Sequence, residues 1–184
     1  MGLKKQAFAS IEHVCRKHGT DMETVKKQAL LLLSAYKMIN WMSEFRYLED
    51  GISEYSYGDR VRCVEYLMNM KADEESDDVV TMIRENVEIS LLKMMIGRTM
   101  ETVRRFPYNG DKYTEILQYK YVGDEQLSEP ELLERINISH TQLYRKQDEA
   151  MAVFGMVFFL ETLPKCREEL IKTKNEISLL PERA

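Results

Sequence analysis

Apolar residues recur three and four positions apart along most of this chain, the spacing of helices packed on one side. Residues 4 to 18 bring Ala7, Phe8, Ile11, Val14 and Cys15 to one face, and Gly19 ends that run. Thr20 forms a capping box with Glu23, and the helix it opens is predicted to run through Met42 or beyond. Val25, Ala29, Leu32, Leu33, Tyr36, Ile39 and Met42 line it, and the run Ala29 to Leu33 predicts burial on more than one side. Residues 49 to 59, polar and tyrosine-bearing with two glycines, read as a connector. A short helix is predicted from Asp59 to Met70. The acidic block Asp73-Glu74-Glu75-Ser76-Asp77-Asp78 reads as a solvated loop or helix start. One long helix is then expected from Asp77 or Asp78 to about Arg105, lined by Val79, Ile83, Val87, Leu91, Met94 and Met95.

Pro107 and the Asn109-Gly110 pair predict a loop at 106 to 111. Beyond it, residues 112 to 122 read as a short helix with Tyr113, Ile116, Leu117 and Tyr121 near one face, and Gly123-Asp124 turns the chain. Ser128 and Glu131 form a second capping box, with Pro130 in the first turn, where its missing N–H is not needed. Leu132, Leu133 and Ile136 face inward, Asn137-Ile138 makes a tight turn, and Ser139 with Gln142 forms a third box. The helix from His140 buries Leu143, Ala150, Phe154, Val157 and Phe158, keeps Gln147 at the edge, and turns His140, Thr141, Tyr144, Arg145 and Asp148 outward. Lys172 to Ala184 read as a weakly ordered tail.

Only 8 Gly and 4 Pro in 184 residues, with abundant helix formers, make the expected fold class all-α. Residues 1–106 form a helical region for oligomerisation or polymerase contact, 107–165 a helix-turn-helix module, and 166–184 a helix end and tail. Cys15, Cys63 and Cys166 are odd in number and far apart, which predicts buried reduced thiols rather than a disulfide framework. The N-terminus lacks a secretory pattern, and apolar runs such as Met156 to Leu160 are too short to span a bilayer. A cytoplasmic protein without membrane contact is expected.

For catalysis the residues offer no Gly-rich phosphate loop, His-Glu-x-x-His, Cys-x-x-Cys or nucleophile elbow. Glu85, Glu88 and Glu101 on one long helix lack the Glu-x-x-His partner of a carboxylate metal site. The expectation is a non-enzyme that needs no metal or cofactor. A formal net charge of -5 argues against a generic nucleic-acid coat, yet charge distribution matters more than its sum.

Two short helices, the second with a polar exposed first turn over a buried stripe, meet the requirements of major-groove reading. Thr141, Gln142 and Arg145 carry groups that match the donors and acceptors of base edges. The free N–H groups near Ser139 to Thr141 suit a backbone phosphate. Lys146 and Arg135 are candidate phosphate partners that position without specifying sequence. His140 reads equally well as a plain surface residue.

The order Ile116-Leu-Gln-Tyr-Lys-Tyr, then Leu127-Ser-Glu-Pro-Glu-Leu-Leu-Glu-Arg-Ile-Asn-Ile-Ser-His-Thr-Gln-Leu-Tyr-Arg-Lys, resembles region 4 of bacterial sigma factors. It is more similar still to phage transcriptional regulators of the ArpU and RinA type, over residues 112 to 158. The resemblance implies a sequence-specific double-stranded DNA-binding regulator, an activator of phage or prophage late genes. It places Ser139 at the recognition-helix cap, His140, Thr141, Tyr144 and Arg145 at groove-facing positions, and Ala150 at the small buried position beyond. The chain departs from a strongly basic recognition helix, with Asp148 and Glu149 beside Arg145 and Lys146. RNA polymerase is an expected partner, and so is a second copy, since one short recognition helix reads few bases. Two alternatives remain open: a small-terminase-like packaging protein, and a helical interaction adaptor that does not touch DNA.

Overall fold

The computed structural model describes residues 2–46 and 55–179, and every regular element among them is helical. Helix α1 spans Leu3–Lys17 and ends at Gly19, whose φ of 72° completes a left-handed stop. The Thr20 amide still reaches back to the Cys15 carbonyl at 3.0 Å, so Thr20 belongs to the end of α1. Asp21 therefore caps α2 (Met22–Arg46) in place of the expected Thr20, its Oδ1 accepting from the Thr24 amide at 2.8 Å. Residues 49–54 of the expected connector lie outside the described residues. Helix α3 (Tyr57–Met68) starts two residues early because Ser56 and Asp59 form a reciprocal capping box, which sequence reading overlooked.

The long helix expected up to Arg105 is two helices, α4 (Ser76–Asn86) and α5 (Ile89–Arg104). Val87 and Glu88 between them are extended. Val87 plugs into the core, and Glu88 is gripped by Arg60 of α3 through bonds of 2.7 and 3.1 Å. That ion pair from another element sets the break, so Glu85, Glu88 and Glu101 do not share one helix. The chain continues through α6 (Gly110–Leu117), a π-helical turn (Gln118–Val122), α7 (Glu129–Ile136), α8 (His140–Val157), a second π-helical turn (Phe158–Thr162) and α9 (Leu163–Ser178). The tail expected from Lys172 is helical as far as Ser178, and 180–184 lie outside the described residues.

Helices α2 and α8 lie side by side at the centre, with α1 and α5 against α8, α4 against α2, and α3 against α9. Leu32 and Leu33 of α2, Val64 and Leu67 of α3, Ile83 of α4, Leu92 and Met95 of α5, and Phe154 and Phe158 meet in one core. Burial of α2 on several sides follows from its run of apolar residues. The loop expected at 106–111 is shorter, 106–109, because α6 already begins at Gly110 after Asn109 at φ 56°. It does not separate two cores: residues 149 to 157 of α8 are buried without interruption, several of them in the core of residues 1–106. Helix α8 thus packs with helices that lie before the loop in the chain. No helix among the described residues is long and apolar enough to cross a membrane.

Helices α2 and α8 approach closely at Gly155, where an added Cβ would overlap the Val25 carbonyl of α2 and press on Ala29. Gly155→Ala is expected to destabilise the fold by roughly 1–3 kcal/mol, the ordinary range for overpacking, as read by urea unfolding. An unchanged midpoint would show that α2 and α8 do not cross so closely in solution.

Candidate nucleic-acid interface

Helices α6, α7 and the start of α8 enclose a small core of their own: Ile116, Leu132, Ile136 and Leu143, flanked by Tyr119, Leu127, Leu133 and Ile138. Both expected capping boxes on this unit are formed. The Ser128 amide donates to Glu131 Oε2 at 2.8 Å, and the Ser139 amide to Gln142 Oε1 at 3.0 Å, with the Gln142 amide returning to Ser139 Oγ at 3.3 Å. Asn137 takes a left-handed conformation, φ 49° and ψ 58°, which Asn tolerates better than most residues. Three residues thus connect α7 to α8 and fix the direction in which α8 leaves.

That direction leaves His140, Thr141, Tyr144, Arg145 and Asp148 exposed, the outward set that periodicity predicts. Ser139 and Gln142 are exposed too, although each is engaged in the cap. Glu129 at the start of α7 pairs with His140 Nε2 and accepts from the Tyr144 hydroxyl at 3.2 Å. The two rings lie 4.8 Å apart, so one carboxylate gathers both groove-facing candidates. Its negative charge raises the Tyr144 phenol above its usual pKa. Asp148 is drawn toward α2, pairing with Lys26 at 2.9 Å. Arg145 keeps more than half its side chain in solvent, 3.9 Å from Glu149.

The two expected phosphate partners fare differently. Arg135 is exposed and lies 4.5 Å from the centroid of Tyr119, a cation–π geometry. Lys146 is 7% exposed, a correction to its expected surface role. Its position on α8 faces α6 and the loop before it, with the amine 6.0 Å from the Tyr108 ring. Burial pushes that amine below the usual lysine range, partly offset by Glu149.

Glu149 is also turned inward, accepting from the buried Tyr113 hydroxyl at 2.6 Å and pairing with Lys4 of α1. Burial, reinforced by this carboxylate, drives the Tyr113 phenol far above its usual pKa. Glu129, Lys4 and Tyr113 were not singled out as site residues from sequence. No local signal marks them, since their partners lie 11 to 145 residues away. The first π turn sets Lys120 and Tyr121 on the same partner: Lys120 donates to Gln147 Oε1 at 2.6 Å, and Gln147 Nε2 donates to the Tyr121 hydroxyl at 2.9 Å. Arg60, Arg62 and Arg104 are held by Glu88, Asp59 and Glu101. No group of three metal-binding side chains occurs among the described residues.

Comparison with protein-family models, curated proteins and solved structures finds no match to this chain.

The Tyr113–Glu149 bond makes a pH-dependent prediction. A phenol whose folded-state pKa is raised contributes stability that is full below the unfolded value of about 10 and lost as pH rises above it. Tyr113→Phe is expected to cost about 1.5–3 kcal/mol at neutral pH, the range for a hydrogen bond to a charged group. The gap between the two proteins should narrow above pH 10 in denaturant titrations, whereas a constant gap would mean that the hydroxyl does not titrate with folding.

Proposed function

We propose that this protein is a sequence-specific double-stranded DNA-binding regulator whose α8 enters the major groove by its N-terminal turns. The observation that carries the reading is the exposed row Thr141, Tyr144 and Arg145 at the start of a capped helix. A tight turn and a small dedicated core hold that helix in a fixed relation to α7. Arg145 supplies the fork of donors that a guanine edge accepts, and Thr141 and Gln142 stand one turn earlier beside it. Within this reading, the resemblance to ArpU- and RinA-type regulators points to phage or prophage late genes and to RNA polymerase as a partner.

A helical interaction adaptor is the second reading. It is favoured by the carboxylates Glu129 and Glu149, which already engage His140, Tyr144 and Arg145, and by the withdrawal of Lys146 from the surface.

Selection of fragments from the source genome at two salt concentrations separates the two. A DNA reader is expected to retain a limited set of fragments, less tightly as salt rises. Arg145→Ala should weaken the retained site by about 1–3 kcal/mol, roughly five- to 150-fold, and relax its sequence preference. Folded protein that retains no fragment at low salt would leave the adaptor.

A further inference from the structure

Three elements deliver basic side chains to one flank of α8. Lys4 comes from α1, Lys112 from α6, and Arg145 and Lys146 from α8 itself. Burial lowers the pKa of the Lys146 amine, the charges of Lys112, Arg145 and Lys4 lower it further, and Glu149 raises it. Both oxygens of that carboxylate are engaged, Oε1 by Lys4 and Oε2 by the Tyr113 hydroxyl. Tyr108 lies beneath the group, 6.0 Å from the amines of both Lys4 and Lys146, and Phe8 lies 6.0 Å from Lys4. Lys4 and Arg145 thus approach one carboxylate, Glu149, and Lys4 shares the Tyr108 ring with the buried Lys146, in a chain whose overall charge is negative. A concentration of like charge on one face is unfavourable for the protein alone, and a polyanion relieves it.

The patch is continuous with the face already described, because Arg145 belongs to both. A helix lying in the major groove is bordered on each side by a phosphate backbone, and a basic flank beside that helix meets one of the two strands. We propose that Lys4 and Lys112 carry the DNA contact beyond the helix–turn–helix, each neutralising a phosphate of the strand that borders α8. The inference rests on the DNA-reading function proposed above. In it, α1 and α6 set the depth and register of α8, while α8 reads the bases.

The test measures binding of the full chain to a retained genomic fragment and to a shuffled duplex of equal length across a salt series. Lys112→Gln is the principal variant, since Lys112 makes no hydrogen bond or ion pair among the described residues, and Lys4→Gln follows with its melting temperature checked. Each lysine that neutralises a phosphate adds about 0.9 to the slope of log affinity against log salt, so each variant should lower the slope by that amount. The same slope corresponds to roughly fivefold weaker binding at 0.15 M salt for each lysine removed. The loss should be equal on both duplexes, leaving their ratio intact, unlike the loss for Arg145→Ala. An unchanged slope for folded Lys112→Gln and Lys4→Gln, with selective binding by wild type, would overturn this inference and leave the DNA-reading function standing. No binding of either duplex by wild type would overturn both.

Discussion

Everything that α8 presents at its N-terminal end depends on how its C-terminal half is held against α2. Gly155 lets the Val25 carbonyl approach without a side chain between the two helices, and Ala29 fills the remaining space. From Glu149 to Val157 α8 is buried all round, so it is a core helix over one half and a surface helix over the other. A close-packed interior transmits position rather than absorbing displacement. The exposed turns beginning at His140 therefore inherit their orientation from a crossing at the far end of the same helix.

The transition between the two halves is electrostatic. Glu149 has little contact with solvent, and the Tyr113 hydroxyl and the Lys4 amine meet its two oxygens. Such a cluster adds little net stability relative to an apolar one, yet losing one partner is expensive because a buried charge is then left exposed to a poor medium. Its consequence here is positional. It ties α1 and α6 to α8 just beyond the outward-facing row, where Arg145 also approaches the same carboxylate. On the other flank Lys26 of α2 performs a related role: burial opposes its charge, but Glu23 and Asp148 outweigh that and hold it protonated.

The face itself is mixed in sign. Glu129 at the head of α7 and Asp148 on α8 alternate with Arg145 and the lysines, in keeping with a net charge of -5. On a face of mixed sign, what can be met depends more on the fixed positions of a few side chains than on net charge. Fixed geometry is what the caps, the left-handed Asn137 and the Glu129 contacts provide.

Much of this architecture is legible in the chain without its fold. Helix starts at Ser128 and Ser139, the stop at Gly19, the loop at Pro107 and the outward row on α8 are local matters, decided by capping chemistry and by a 3.6-residue period within a single turn or two. Other features were decided only by tertiary contact. Val87 and Glu88 break a helix because Arg60 and the core recruit them from outside it, and Thr20 loses its capping role because α1 claims its amide. Lys146 and Glu149 carry the composition of surface residues but point inward, because α6 and α1 cover that side of α8. Local pattern tells which residues can face together; whether water, a phenol or an amine from a distant helix meets a charge depends on where the chain returns, and no spacing along the sequence encodes that.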